Sequence, residues 1–180
     1  MKSIAIDMDN VIVDIESQYI KWYKERFGVV IPREQLLGKP ETKGFPNPEA
    51  VYDFLLTPNF FRTAKPLPGA LQAVQQLAAS FQVYIVSAAM EFPQSLPEKY
   101  EWLREHLPSV SWSQIVFCGD KRIIGTDYMI DDHVKNLDNF RGTGLLFTAA
   151  HNINIDRHIR VNNWSEVLQW FEKEAHLQTT

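Results

Sequence analysis

Two aspartates, Asp7 and Asp9, stand at the exit of an apolar run of strand length near the start of the sequence. Ligands of open α/β sheets bind beyond the carboxyl ends of the strands, so this position favours chemistry. Carboxylates this close repel each other unless a cation or a proton separates them, and a divalent metal with oxygen ligands is a natural partner. One aspartate could then attack while the other moves protons. A D-x-D pair is also common in ordinary loops, so the pair alone does not decide the function.

Other polar residues follow later apolar runs. Ser87 comes after residues 83–86, and Asp131 and Asp132 come after residues 128–130. If these strands are parallel neighbours of the first, their polar groups meet at one edge of the sheet and provide a site for a hard cation with a hydroxyl donor.

Lys99 and Lys121 are the nearby candidates for positive charge at that edge. A divalent ion, a nucleophilic carboxylate, a hydroxyl and an ammonium together suit a phosphoryl group. Each residue also has a simpler interpretation: Ser87 can close a turn, Lys99 can be a surface lysine, and the later aspartates can cap a helix. No Gly-x-x-x-x-Gly-Lys-Ser/Thr sequence is present, which excludes the P-loop motif.

The elements needed to position these residues alternate along the chain. Apolar periodicity predicts a helix over residues 15–27 ending at Gly28, and further helices beginning near residues 70, 98 and 164. Strands are predicted at residues 83–86, 115–117, 128–130 and 145–147. The alternation predicts an α/β fold: a Rossmann-like, mostly parallel sheet with helices on both faces. Prolines interrupt short helical pieces between Gly28 and Pro68, which indicates an insertion at roughly residues 15–66.

The whole chain has the composition of an ordinary globular protein, with 180 residues, 45% hydrophobic and 22% charged. A net charge of -4 gives no electrostatic footprint for a nucleic acid polymer. We find no secretory signal and no run long enough to span a membrane, and we expect a cytoplasmic protein. Cys118 is the only cysteine, and its strand-like context predicts a buried, inert thiol.

Four motifs occur in order along the chain: Asp7-Met8-Asp9-Asn10-Val11, Ser87, Lys99 and Ile130-Asp131-Asp132. Together they resemble the four motifs of the haloacid dehalogenase-like phosphatases. Four further segments are Pro66-Leu67-Pro68-Gly69-Ala70, Glu98-Lys99-Tyr100-x-Trp102, Asp120-Lys121 and Leu146-Phe147-Thr148-Ala149-Ala150-His151-Asn152. These segments are similar to the 5′(3′)-deoxyribonucleotidase family. The resemblance implies a catalytic core of residues 1–14 and 67–180 with a small helical cap at residues 15–66.

The resemblance also implies a mechanism and a substrate. Asp7 would attack phosphorus to form an aspartyl-phosphate, and Asp9 would act as the acid and then the base. Mg²⁺ would be held by Asp7, the Asp9 backbone carbonyl and Asp132, with Asp131 in support. The substrate would be a deoxynucleoside 5′(3′)-monophosphate. The oligomeric state stays open, with a homodimer as one alternative. The implied phosphate-binding residues are Ser87, Ala88, Lys99 and Lys121, with Lys99 also neutralising charge on Asp7.

Three positions depart from the family pattern. Asn10 replaces a glycine, and asparagine tolerates the left-handed backbone that the loop needs. Ser87-Ala88-Ala89 stands where the family has Thr-Ser-Pro, so one of the two hydroxyl groups is absent. Pro46 replaces a tryptophan of the cap, which leaves Phe45 as the candidate for stacking on the base, although Phe45 can equally belong to the cap core. We expect His151 and Asn152 to fix a loop, and His133 and His176 to be surface residues.

Other functions stay open at this point. The same residues suit a phosphatase for another small phosphate ester, such as a sugar phosphate, or phosphotransfer to an acceptor alcohol. A catalytically silent domain that binds phosphate or a partner is a different class. Asp7 and Asp9 are both present, and a binding role alone would not require both carboxylates.

Overall fold

A six-stranded parallel sheet organises the protein in the computed structural model, which describes residues 1–177, with side chains as far as residue 174. Residues 178–180 of the predicted core and the side chain of His176 lie outside the described part. The strand order is β3-β2-β1-β4-β5-β6. The strands are β1 Ser3–Asp7, β2 Gln82–Ser87, β3 Ile115–Phe117, β4 Tyr128–Asp131, β5 Thr143–Phe147 and β6 Ile159–Val161.

Five of the six strands confirm the predicted ones to within a few residues. The edge strand β6 was not predicted, because Ile159–Val161 has three residues with a charged arginine between two apolar side chains. A segment this short carries too little periodicity for a strand to be recognised.

Six α-helices connect or cover the strands within the described residues. They are α1 Ile15–Phe27, α2 Pro48–Leu55, α3 Ala70–Ala78, α4 Ser95–His106, α5 Val134–Leu137 and α6 Trp164–Leu177. The Asp14 side chain accepts a hydrogen bond from the Ser17 backbone N–H at the start of α1, and Gly28 ends that helix with φ of 70°. Helix α4 begins before the predicted position, since Pro97 is tolerated in its first turn.

Both faces of the sheet are buried, which explains why its strands read as continuous apolar runs. Ile4 and Ile6 of β1 face a core that includes Val74 of α3 and Trp164 of α6. Ala5 points to the opposite face, where it belongs to a smaller core with Met129 of β4 and Leu137 of α5. The fold is the Rossmann-like α/β arrangement that the alternating pattern predicts.

The inserted segment leaves and rejoins the core at one place. The Asp14 backbone N–H donates to the Lys65 carbonyl at 2.8 Å, and the Leu67 N–H donates to the Ile12 carbonyl at 2.8 Å. Between these points the segment has its own aromatic core around Phe60, whose ring lies 5.0 Å from Tyr19 and 5.3 Å from Trp22. Among the described residues, no helix is long and apolar enough to cross a bilayer.

Candidate active site

The strand order places the chemically active residues at one edge of the sheet. Strand β1 lies between β2 and β4, and Asp7, Ser87 and Asp131 are the last residues of those three strands. Asp7 pairs in register with Val86, and Ile6 pairs with Ile130. The prediction that these strands are parallel neighbours is confirmed, and their polar ends therefore converge.

The loop after β1 turns sharply so that Asp9 faces the same edge. The Met8 carbonyl accepts hydrogen bonds from the Ile12 and Val13 backbone N–H groups, both at 2.9 Å. Asn10 has φ of 56°, the left-handed conformation that asparagine tolerates better than most residues. Its Oδ1 accepts from the Glu16 N–H at 3.1 Å, and its Nδ2 donates to Glu41 Oε1 at 3.0 Å. The asparagine thus keeps the turn and also ties it to α1 and to the inserted segment.

Lys121 is the cation next to Asp7. Its buried Nζ lies 2.6 Å from Asp7 Oδ1 and 2.6 Å from Asp131 Oδ2. Burial raises the pKa of Asp7 well above its usual value, and Lys121 acts against this rise. Burial alone would lower the pKa of Lys121, but the two carboxylates raise it above its ordinary value. Lys121 is therefore a permanent cation that favours an ionised Asp7.

Lys99 lies beside Asp9 instead. Its buried Nζ pairs with Asp9 Oδ2 and lies 3.0 Å from Ser87 Oγ. The ion-pair partner of Asp7 among the described residues is Lys121, and the role of Lys99 in neutralising charge on Asp7 stays a prediction. Each aspartate of the D-x-D pair therefore has its own lysine partner. The order of the residues in the sequence does not reveal this division, because both lysines are far from Asp7 along the chain.

The two adjacent aspartates after β4 differ in their surroundings. Asp131 accepts from the His133 backbone N–H at 2.8 Å and from Asn136 Nδ2 at 3.0 Å, in addition to its contact with Lys121. Asp132 is equally buried, yet neither of its carboxylate oxygens has a hydrogen-bond partner among the described residues. Burial raises the pKa of Asp132 to about 7. Asp131 therefore has a structural role in the loop, while Asp132 needs a proton or a cation.

A hard divalent cation fits this group of carboxylates. Oxygen atoms of Asp7, Asp131 and Asp132 lie within 4.8 Å of one another. Unpaired buried carboxylate oxygens are costly unless a cation compensates them, and carboxylates are the ligands that Mg²⁺ prefers. Since the oxygens of Asp131 are already engaged, Asp7 and Asp132 are the carboxylates best able to bind a cation directly.

His151 and Asn152 support the Asp132 loop from beneath, which confirms their expected role in fixing a loop. Asn152 Nδ2 donates to the backbone carbonyls of Asp132 and Phe147, both at 2.8 Å. His151 Nε2 lies 3.1 Å from the Asp132 carbonyl. These contacts hold the peptide group of Asp132, and His151 Nε2 also lies 3.6 Å from the Asp132 carboxylate at Oδ2.

The side chain of His133, which was expected at the surface, is 37% exposed and also contacts neighbouring site residues. Its ring stacks on His151 with centroids 4.5 Å apart, and its Nε2 lies 3.6 Å from Glu41 Oε1. Burial lowers the pKa of His133, but Asp132 and Glu41 raise it to about 9. The side-chain atoms of Asp132, His133 and His151 also come within 4.8 Å of one another, a grouping that their sequence spacing does not indicate.

The cleft above these residues has charged groups at its floor and apolar side chains at its walls. Its floor contains Asp7, Asp9, Ser87, Lys99, Lys121 and Asp132, and its walls contain Ile15, Tyr19, Leu55, Phe61, Ala88 and Phe92. The cleft opens into an outer groove bordered by Tyr52, Phe92 and Lys135. Most of the apolar wall comes from the inserted segment.

Phe45, the predicted base-stacking residue, lies elsewhere. It is 4% exposed and packs against Tyr19 and Tyr23, with ring centroids 6.1 Å and 5.3 Å away. Phe45 lines a separate small cavity beside Glu41, not the cleft over Asp7. Phe61 is the aromatic ring next to Lys99, with its ring centroid 4.5 Å from Lys99 Nζ.

Glu41 and Phe61 are the site residues that sequence reasoning missed. A glutamate in a proline-rich segment and a phenylalanine in a run of aromatics have no distinguishing spacing. The available signal was that both residues lie in the insertion. An insertion that leaves and rejoins the core beside the strand ends must cover those ends. Which of its side chains face the cleft depends on tertiary packing.

Comparison with known proteins gives a consistent result. Residues 1–177 match the family described as 5′ nucleotidase, deoxy (pyrimidine), cytosolic type C protein (NT5C). A Staphylococcus aureus (strain Mu50) protein provisionally named 5′(3′)-deoxyribonucleotidase is 43% identical over 171 residues, which cover 94% of this chain and 95% of that protein. The 5′(3′)-deoxyribonucleotidase of Bacillus subtilis (strain 168) is 37% identical over 166 residues, which cover 92% of this chain and 96% of that enzyme.

Solved structures share the fold at low sequence identity. A haloacid dehalogenase-like protein from Agrobacterium tumefaciens superposes with a TM-score of 0.62 at 14% identity, covering 97% of this chain and 99% of that chain. A haloacid dehalogenase family hydrolase from Deinococcus radiodurans has a TM-score of 0.60 at 14% identity, covering 96% of each chain. The sheet and its helices are thus those of the haloacid dehalogenase-like fold.

Proposed function

The chain belongs to the 5′ nucleotidase, deoxy (pyrimidine), cytosolic type C family of phosphoric monoester hydrolases, and we propose that it hydrolyses deoxynucleoside 5′(3′)-monophosphates to nucleoside and phosphate. The proposed reaction depends on Mg²⁺ and passes through an aspartyl-phosphate on Asp7. The single cysteine supports a cytoplasmic location, as in our expectation from the sequence.

The observation that carries this proposal is the pairing of each D-x-D carboxylate with its own buried lysine. Lys121 holds Asp7, and Lys99 holds Asp9 next to the Ser87 hydroxyl. A nucleophile and an acid–base group need different environments, and two separate cations provide them. A structural loop would not require four charged side chains to converge in a cleft.

Mg²⁺ would be held by the carboxylates of Asp7 and Asp132 and by the backbone carbonyl of Asp9, with Asp131 supporting the loop. The buried carboxylate oxygens of Asp132, which accept no hydrogen bond from the described residues, support this assignment. When bound, the ion neutralises negative charge on the phosphoryl group and so lowers the barrier to attack by an anionic nucleophile.

In the first half of the reaction, a carboxylate oxygen of Asp7 attacks phosphorus and the bond from phosphorus to the sugar oxygen breaks. Burial raises the pKa of Asp7, and the adjacent Lys121 ammonium opposes that rise and so favours the ionised nucleophile. The leaving oxygen takes its proton from Asp9, whose side chain is 31% exposed and faces the cleft. A substrate phosphate would give Lys99 a second anionic partner, which weakens its contact with Asp9 and leaves that carboxyl group available to the leaving oxygen.

In the second half, Asp9 takes a proton from a water molecule whose oxygen attacks the same phosphorus. The bond to Asp7 breaks, phosphate leaves, and both aspartates return to their starting states. The proposed contacts to the phosphoryl oxygens come from Lys99, Ser87, Lys121 and the backbone around Ala88. Ala88 has no hydroxyl, so the side chain at that position contributes no hydrogen bond.

We propose that residues 15–66 act as a cap that encloses the nucleoside. The two hydrogen bonds at Asp14 and Leu67, together with the separate aromatic core, support this division. The position of Phe45 does not favour its stacking on a base. Phe61 and Phe92 line the cleft and are better placed to contact a sugar or a base.

A phosphate-release screen with Mg²⁺ over deoxynucleotides, ribonucleotides and sugar phosphates tests the proposal. We expect deoxynucleoside monophosphates to be the best substrates. Replacing Asp7 with asparagine should lower turnover by at least about a thousandfold, because the nucleophile is lost. Asp53→Asn is the matched control, since Asp53 is an exposed aspartate of α2 outside the cleft.

Each other outcome of this screen identifies a different function. Sugar phosphates that exceed deoxynucleotides tenfold would replace the proposed substrate class. Phosphate binding without release, or full activity in Asp7→Asn, would refute the proposed hydrolysis. Added alcohols that receive the phosphoryl group in preference to water would change the reaction to phosphotransfer.

A further inference from the structure

Residues 57–63, named here the return loop, bring the inserted segment back to the core. Asn59 adopts the left-handed conformation with φ of 72°, and the Thr63 N–H donates to the Asn59 carbonyl at 3.2 Å. The turn leaves several backbone N–H groups pointing away from the loop towards helix α4. These donors need an acceptor, because the loop lies against the protein.

One carboxylate on α4 supplies that acceptor. Glu98 Oε1 accepts from the Asn59 N–H at 2.6 Å, and Oε2 accepts from the Phe61 N–H at 3.2 Å and the Arg62 N–H at 3.0 Å. Hydrogen bonds to an ionised acceptor are stronger than neutral ones, and three on one carboxylate fix its position. The first turn of a helix also favours a negative charge.

The fixed loop carries an aromatic ring to the phosphate end of the cleft. Phe61 is 4% exposed, and its ring centroid lies 4.5 Å from Lys99 Nζ. A cation over a ring face is attracted to it, most strongly where water is excluded. The same Nζ contacts Asp9 and Ser87 Oγ. The ring therefore bounds the ammonium on a side that the polar groups leave open.

We propose that Glu98 is a positioning residue for phosphate binding, acting through Phe61 on Lys99, an inference that rests on the proposed function. Glu98 touches neither the cleft nor the reacting atoms. It fixes the backbone N–H of Phe61, the ring of Phe61 limits where the ammonium of Lys99 can lie, and Lys99 contacts the phosphoryl oxygens. Glu98 and Lys99 are consecutive residues, so one helical turn holds both the loop and the cation.

Glu98→Gln is the variant of choice, because glutamine keeps the length of the side chain but turns one acceptor into a donor. We expect phosphate affinity and kcat/KM to fall by about tenfold, the effect of losing one charge-assisted hydrogen bond. Glu98→Asp, which restores both acceptors on a shorter stem, should recover part of the loss. Glu101→Gln is the matched control, since Glu101 is exposed on the same helix and meets the Arg62 side chain 3.5 Å away.

Binding of inorganic phosphate, measured by calorimetry with Mg²⁺, is the primary readout, and thermal unfolding is recorded beside it. A Glu98→Gln protein with a lower Tm but unchanged phosphate affinity would show a merely structural role and overturn the proposal. So would an equal loss in Glu101→Gln, or no phosphate binding by the unmodified protein. If the unmodified protein binds phosphate but releases none from any substrate, the proposed function is refuted. The phosphate affinities of the unmodified and Glu98→Gln proteins still test the positioning role of Glu98 in that case.

A double-mutant cycle shows whether Glu98 acts through the ring. Phe61→Leu removes the ring but leaves the backbone donors and Glu98 in place. We expect Phe61→Leu to weaken phosphate binding by a similar factor, and Glu98→Gln to add less than about twofold in that background. Full additivity of the two changes would refute the route through Phe61. If Glu98→Gln does not fold, an unchanged phosphate affinity in Phe61→Leu refutes it equally.

Discussion

Replacing Lys121 with methionine should destabilise the metal-free protein by about 3–5 kcal/mol, the usual cost of removing one partner from a buried ion pair. Methionine has similar length and fills the same space, so the loss reflects charge and not a cavity. One ammonium serves two carboxylates here, Asp7 and Asp131, each 2.6 Å away. Removing it leaves two buried carboxylates that must take up protons or remain uncompensated, which favours the upper part of the range.

Mg²⁺ should restore part of this stability. A cation bound by Asp7 and Asp132 compensates the negative charge that Lys121 leaves behind. The difference in unfolding free energy between the unmodified and Lys121→Met proteins should therefore shrink by about 1–3 kcal/mol, a typical coupling between two sites. By the same linkage, the variant should bind Mg²⁺ more tightly, although it should turn over substrate poorly.

Urea unfolding at neutral pH, followed by circular dichroism with a chelator and then with saturating Mg²⁺, measures both effects. Lys135→Met is the control, because Lys135 lines the same cleft but is exposed. A loss below about 1 kcal/mol in Lys121→Met, or an equal loss in Lys135→Met, would contradict the buried ion pairs of Lys121 with Asp7 and Asp131. A difference between the two proteins that Mg²⁺ leaves unchanged would contradict the placement of the cation.

Three further outcomes follow from buried groups and tight packing. In the metal-free protein, the raised pKa of Asp132, about 7, gives stability that is present below its unfolded value near 4 and is lost as the pH rises through 7. The contribution of Asp132 to this loss should be about 4 kcal/mol in denaturant unfolding, and the pH dependence should decrease by that amount in Asp132→Asn. Cys118, with its thiol pKa raised by burial, should resist iodoacetamide until the protein unfolds; rapid labelling of folded protein would disprove this. Gly142→Ala should cost about 1–3 kcal/mol of unfolding free energy, because the added Cβ overlaps the Asp127 carbonyl, while Gly125→Ala, where the space is open, should cost less than half as much.

The sequence predicts the sheet and the residues at its edge because both depend on short-range patterns. Apolar runs end at Asp7, Ser87 and Asp131, and parallel strands align such ends without further information. The helix over residues 15–27 is predicted because Gly28 stops it in a left-handed conformation. These features depend on neighbouring residues, which a single sequence contains.

Pairings between distant residues are not contained in such patterns. Either lysine could approach Asp7, and the choice of Lys121 depends on where the turn after β3 places its side chain. Phe45 packs on Tyr23 and Phe61 lies beside Lys99, because tertiary packing decides which side of the inserted segment each aromatic ring occupies. His133 and Glu41 meet only because the insertion folds back over β4.

The central position of β1 has a consequence for protein synthesis. During translation, Asp7 is made long before the strands on either side of it, and the β4 partner and Asp132 are made well over halfway along the chain. The site around Asp7 is therefore incomplete until both β2 and β4 have emerged from the ribosome. A nascent chain stalled before residue 132 should form the pairing of β1 with β2 but have no complete cation site, so its chemistry starts only after most of the polypeptide has been released.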